Sequence, residues 1–239
     1  LRRLNSQLDD CKVDRLIGEA YIESAGKIFK IKVGDDRIRA KKVIIATGMT
    51  DVQPPLKNLA TLRRAGLLRY CPVCDAYEYR NKKLLVLAQD SHGIRAARFL
   101  SHYSKDIRVL WPSAEKLPAR SEKSGAIAGV PFSRGLLESI EIDGGKALVT
   151  WSDSMRIRKA KYDAVYVALG SAIQDSAFRH LKGIKRNEDG FILVDAHQET
   201  GIEGLFAVGD CVEGLAQIAV ASGQAAIAAT AIHNYFLRM

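Results

Sequence analysis

Cys71 and Cys74, in the run Cys71-Pro72-Val73-Cys74, place two sulfurs within disulfide reach of each other. A neighbouring base or a positive helix N-terminus lowers a thiolate's pKa enough to make such a pair exchange-active. Zinc is the competing use, and a structural zinc site needs four ligands. There is no second Cys-x-x-Cys, and His92, His102, His180, His197 and His233 are scattered without ligand spacing, so redox chemistry is favoured and no metal is expected. Two inert buried thiols remain as the third alternative. Asp75 follows the second cysteine directly. It suits a proton relay during thiol exchange, and equally an ordinary N-cap or surface carboxylate; spacing leaves both open. Cys11 and Cys211 stand alone and receive no role.

A second group of residues suits a ligand with polyol and anionic edges. Residues 205–208 form a short apolar run that stops at Gly209-Asp210, and a long helix expected over 217–236 begins with Gln217-Ile218. The Asp210 carboxylate can accept hydroxyl hydrogen bonds while the helix start offers free N–H groups and a positive dipole end. A simple turn has the same appearance. Residues 43–46 form another buried-strand run, ending at Thr47-Gly48 in what reads as a ligand edge. The turn Ala88-Gln89-Asp90-Ser91-His92-Gly93 stands where a dinucleotide site would want Gly-x-Gly-x-x-Gly, and only the third glycine, Gly93, is kept. Asp90 adds a side chain and a negative charge where backbone should approach a pyrophosphate, so nicotinamide binding here is doubtful.

The elements that must position these residues follow from periodicity. A helix end at 4–11 precedes short strands at 16–22, 27–33 and 37–40, broken at Ser24-Ala25-Gly26 and Gly34-Asp35-Asp36. Residues 56–65 read as helix. From 84 the pattern is strand, turn, helix, strand, a βαβ unit closing at 107–111, with Ala96, Phe99, Leu100 and Tyr103 on one helix face. A β-meander over 136–142, 147–151 and 155–159 leads into a buried strand at 164–169, and 191–194 reads as a further strand. In the last helix Ile218, Ser222, Ala225, Ala229, Ile232 and Phe236 form one stripe whose small residues allow close approach to a sheet.

The 239 residues give ample length for a core; 36 Lys plus Arg against 27 Asp plus Glu leave a net charge of +9, and the apolar and charged fractions are 47% and 26%. These values exclude a disulfide miniprotein, a disordered chain and a collagen. The basic pairs are dispersed among acids without interleaved aromatics, which reads as a solvated surface and excludes a nucleic-acid stripe. No apolar run reaches a membrane span, and the first residues lack the h-region of an export signal, so a cytoplasmic protein is expected. Leu1 in place of Met suggests that sequence lies upstream.

Together these stretches resemble the thioredoxin reductase-like branch of the FAD-dependent pyridine nucleotide–disulfide oxidoreductases. The matching runs are Ile44 to Gly48, Cys71 to Asp75, the βαβ unit at 84–111, Val165 to Gly170, and Gly204 to Asp210 leading to Gln217. The resemblance implies an α/β protein of two Rossmann-like three-layer domains, a nicotinamide-type domain inserted in a discontinuous FAD-type domain. Carried over, the inserted domain is 67–170 and the FAD-type domain 1–66 plus 171–239. It implies further that Cys74 faces the flavin, that Cys71 exchanges with an external disulfide or dithiol, which a small redox protein could carry, and that Asp75 serves as acid/base. Thr47, Gly48, Gly209, Asp210, Gln217 and Ile218 would hold FAD, and relatives are commonly homodimers.

Two departures stand out. The family's first βαβ unit, with its pyrophosphate loop, would precede residue 1. The altered 88–90 turn points away from NAD(P)H and toward a flavin-dependent dithiol oxidase or a reductase fed by another donor such as ferredoxin. A non-catalytic binding module of the same fold is the alternative outside enzymes.

Overall fold

The computed structural model describes residues 2–112, 116, 126–127, 129–153 and 156–238. It divides into two compact units, residues 1–50 with 173–239, and residues 51–172. The backbone closes each crossing within its own unit: Val52 N–H donates to Gly170 O at 2.9 Å in the second, and Gln174 N–H to Gly48 O at 3.1 Å in the first. Among the described residues no helix is long and apolar enough to cross a membrane.

The first unit opens with α1 (Arg2–Asp10) and an antiparallel three-stranded sheet, β1 (Ala20–Ser24), β2 (Phe29–Val33) and β3 (Asp36–Ala40). Residues 16–19, expected within the first strand, lie outside it. β4 (Val43–Ile45) pairs in parallel with the much later β16 (Leu205–Ala207), Val43 opposite Leu205 and Ile45 opposite Ala207. Phe29, Ile45, Phe178, Ile192 and Leu205 form the core under these strands. Short strands β5 (Met49–Asp51) and β15 (Ser171–Ile173) mark the two crossings. The strand expected at 191–194 is reduced to bridges made by Ile192 with Arg186 and Val212. Its neighbours are drawn into a turn, with Asn187 Oδ1 accepting from Phe191 N–H and Asn187 O from Gly190 N–H.

The last helix, α5 (Ile218–Leu237), runs as expected to within a residue at each end, but of the expected stripe only Ile232 lies on its packed face. Ala228, Ala231 and Ile232 pack on Phe206 and Val208, whereas Ile218 is 86% exposed and Phe236 is exposed. The helix is apolar on every side, so periodicity could not single out one stripe. Small residues at the seam do allow the close approach foreseen for it.

In the second unit six strands lie in the order β6 (Leu68–Arg69), β14 (Ala164–Ala168), β7 (Leu84–Ala88), β8 (Ile107–Trp111), β10 (Val130–Arg134) and β9 (Ala126–Ile127), parallel except for β9. Alternation along β7 and β14 explains the layering. Leu84, Val86, Ala88, Ala164, Tyr166 and Ala168 face the helix side with α4 (Ser91–Leu100), while Leu85, Leu87, Val165 and Val167 face an antiparallel meander. That meander is β11 (Leu136–Asp143), β12 (Lys146–Ser152) and β13 (Ile157–Tyr162). A strand buried on both faces must be apolar almost throughout, and the Tyr166 hydroxyl is the one polar side-chain group in β7 and β14. Met155, expected to start β13, lies outside the described residues. The expected helix at 56–65 is α2 (Leu59–Arg64), and residues 51–66 belong to the second unit, where Leu56, Leu59 and Leu62 pack into the meander-side core.

Candidate active site

Cys71 and Cys74 are joined as a disulfide with Cα atoms 5.3 Å apart. The bridge spans a single helical turn, α3 (Pro72–Asp75), whose N-cap is Cys71. Cys71 Sγ accepts the Cys74 N–H at 3.2 Å, and Pro72 takes the first helical position, where a missing N–H costs nothing. Cys71 is half-buried and Cys74 exposed.

Asp75 is held from two sides and is not a solvated surface carboxylate. Its side chain is 15% exposed; Oδ1 accepts the Tyr166 hydroxyl at 2.7 Å and Oδ2 lies 3.5 Å from Arg69 Nη1. Arg69 donates from Nε and Nη2 to the Tyr79 oxygen at 2.8 and 2.6 Å, and Tyr79 donates to Gly66 O at 2.7 Å. The Tyr79 and Tyr166 rings meet edge to face with centroids 6.1 Å apart. Burial opposes the charge on Arg69, yet the Tyr79 oxygen and the Asp75 carboxylate hold its pKa above the ordinary value. Asp75 thus has fixed orientation and a fixed donor.

Burial, and then the hydrogen bond to Asp75, push the Tyr166 pKa well above its ordinary 10.0. The sign follows from linkage: the folded chain keeps this proton at a pH where the unfolded chain releases it, so stability is intact below about pH 10 and falls as pH rises beyond it. Tyr166→Phe is expected to flatten that alkaline loss while lowering stability at neutral pH by about 1–3 kcal/mol, since Asp75 loses its donor. Urea unfolding at pH 8 and pH 11 measures both; equal alkaline slopes in the two proteins would contradict it.

Sequence reasoning missed Arg69, Tyr79 and Tyr166. The signal for Tyr166 was present, because a hydroxyl within the buried run Val165-Tyr166-Val167 must find a partner.

At the 88–93 turn Asp90 caps α4, its Oδ1 accepting Gly93 N–H at 3.0 Å. A Cβ on Gly93 would stand 2.3 Å from Ala88 Cβ and 2.8 Å from Ala168 O, so helix and strand touch here through backbone. Gly93 therefore serves close packing, and the donor that would greet a phosphate is taken by the protein's own carboxylate.

In the first unit the parallel pairing of β4 with β16 sets Thr47-Gly48 beside Gly209-Asp210 at the carboxyl ends of both strands, where open α/β sheets bind ligands. Gly48 and Gly209 have φ of 67° and 76°, and a Cβ on Gly48 would meet nothing within 4 Å. Gly209 N–H donates to Gln224 Oε1 at 2.7 Å, which ties α5 to the turn. The half-buried Asp210 carboxylate has no hydrogen-bond partner among the described residues. Gln217 is the N-cap residue of α5 and Ile218 its first residue. These groups fit a hydroxyl-bearing ligand. Cys211 sits beneath the two turns, its thiol 3.3 Å from Val208 O and its pKa raised by burial, an unreactive thiol.

The sequence profile of the pyridine nucleotide-disulphide oxidoreductases matches residues 10–225. The chain belongs to this family. Within the family it is a thioredoxin reductase-like, FAD-dependent disulfide oxidoreductase. It is 29% identical over 219 residues to a thioredoxin reductase of Bacillus subtilis, covering 88% of this chain and 68% of the relative. A thioredoxin reductase of Peptoclostridium acidaminophilum is 23% identical over 248 residues, covering 98% and 78%. The thioredoxin reductase structure from Streptococcus pyogenes superposes with a TM-score of 0.88 at 24% identity, over 100% of this chain and 79% of that one, which shows the two-domain Rossmann-like fold.

Proposed function

We propose that electrons pass between FAD held by the first unit and the Cys71–Cys74 pair of the second, and onward to an external disulfide. The closed disulfide beside a clamped carboxylate carries this reading. Bound FAD would supply two-electron exchange with the pair by way of Cys74; Thr47, Gly48, Gly209, Asp210 and the start of α5 at Gln217 and Ile218 are the residues that would hold it. With the pair reduced, Asp75 takes the proton of the Cys71 thiol; the thiolate attacks one sulfur of the external disulfide and expels the other as a thiolate, to which Asp75 returns that proton. Cys74 then attacks the Cys71 sulfur, its own proton passing to the substrate thiolate that leaves, which re-forms the bridge and releases the substrate as a dithiol. Val73 and Tyr77, 58% and 67% exposed beside the bridge, suit a protein surface carrying that disulfide, in keeping with thioredoxin as the namesake of the relatives.

The test is anaerobic. Purified chain that takes up FAD stoichiometrically, and whose Cys71–Cys74 thiols appear when the flavin is photoreduced, supports the proposal. A protein that stays colourless with added FAD overturns it and leaves a binding module of this fold.

The Asp90 carboxylate on Gly93 N–H favours a second reading, in which the pair is served by a donor or acceptor other than NAD(P)H, as in a dithiol oxidase or a ferredoxin-linked reductase. Asp90→Gly frees that N–H and removes a charge at a small capping cost. NADPH affinity, measured by calorimetry, is expected to rise roughly tenfold or more. An unchanged affinity would exclude Asp90 as the obstacle.

A further inference from the structure

A cavity of about 450 Å³ opens in the second unit at the amino-terminal ends of β7, β8 and β10, the opposite sheet edge from the 88–93 turn. It falls within the range of small-ligand sites, roughly 300–1,000 Å³. Its rim carries Lys83, Lys105, Arg108 and Arg158 against one acid, Asp106. Arg158 is engaged by Asp153 at 2.7 Å and Lys105 Nζ donates to Ser101 O at 3.0 Å, but among the described residues Lys83, Lys105 and Arg108 form no ion pair. The Arg108 guanidinium is aimed by weak contacts to Phe132 O and Ser133 Oγ at 3.4 and 3.3 Å, and the Lys83 ammonium lies over the Tyr162 ring at 5.3 Å.

The inner wall is Trp151 and Tyr162, 6% and 2% exposed. Among the described residues the Trp151 indole N–H is buried without an acceptor and the Tyr162 hydroxyl has no hydrogen-bond partner. Apart from Asp106, the charged and uncommitted side chains of the lining are therefore cations and donors. Buried donors left unpaired cost free energy, and a guanidinium prefers the paired oxygens of a phosphate or carboxylate. We propose that this cavity is a binding site for a small, acceptor-rich polyanion, its charge met by Lys83, Lys105 and Arg108. The site lies apart from the disulfide chemistry and does not depend on its direction or on flavin.

Calorimetry of the full chain with inorganic tripolyphosphate tests this, with citrate as a second arm. A saturable, one-to-one isotherm is expected, weakened about tenfold or more by Arg108→Met and by Lys83→Met, each the loss of a charged contact at an exposed position. Lys161→Met, which removes a charge paired with Asp143, is the control and should leave the isotherm unchanged. Preference for tripolyphosphate identifies a phosphate ligand, and equal or better citrate binding a polycarboxylate; either supports the site when the Arg108 and Lys83 variants lose it. No saturation below about 10 mM, or equal weakening by all three variants, overturns it.

Discussion

Cys74→Ser is expected to lower disulfide turnover by at least about 10³-fold, because the covalent route loses the sulfur that resolves the mixed disulfide. The effect should fall on chemistry alone. Cys74 is exposed at the end of a short turn and Ser is smaller, so flavin uptake and the thermal midpoint should stay near wild type. The variant also separates the two cysteines. With Cys71 retained, its thiolate still attacks, and a stable adduct with the substrate should accumulate and be seen by intact mass. Cys71→Ser should lose turnover equally while forming no such adduct, since the N-cap sulfur that meets the Cys74 N–H is the proposed nucleophile. Adduct formation by Cys71→Ser alone would reverse the roles, and wild-type turnover in either variant would remove the pair from the reaction.

Gly93→Ala should produce the largest loss of stability of any single methyl group in the second unit described here. Its Cβ would overlap Ala88 Cβ at 2.3 Å and the Ala168 carbonyl at 2.8 Å, both held in the central sheet. Neither neighbour is a flexible side-chain tip, so α4 must move off β7 and β14 and open the core formed by Ala96, Ala97 and Leu100. A cost of about 3 kcal/mol is expected, with the thermal midpoint down by roughly 10 °C. Gly26→Ala is the control: its added Cβ meets nothing within 4 Å, and its midpoint should stay within a degree or two. A Gly93→Ala protein melting with wild type would mean that the helix–strand contact is looser than these distances.

How far the sequence spoke depended on which force placed each residue. β7, β8, β14 and the meander were legible because burial on two faces, or strict alternation on one, leaves a pattern of its own. The Cys-x-x-Cys and the two turns after β4 and β16 were legible because their chemistry needs those residue types in short spans. The fate of Asp75 was not. Its partners Arg69 and Tyr166 come from β6 and β14, strands joined only through pairing nearly a hundred residues apart, and no local rule links them. The seam of α5 was obscured for the opposite reason, since every face was equally apolar. The donor-lined cavity gathers one to three residues each from β8, β10, β12 and β13, none unusual in its own stretch.

The four cysteines also differ in how chemical reagents can reach them. Cys11 is exposed and free, Cys71 and Cys74 are linked to each other, and Cys211 is enclosed beneath the turns after β4 and β16. A colorimetric thiol reagent should therefore count one group in the oxidised native chain, three after mild reduction and four after denaturation. The step from one to three reports the redox state of the bridge. The step to four reports opening of the first unit, so one titration reads electron transfer and local unfolding as separate integers without any added label.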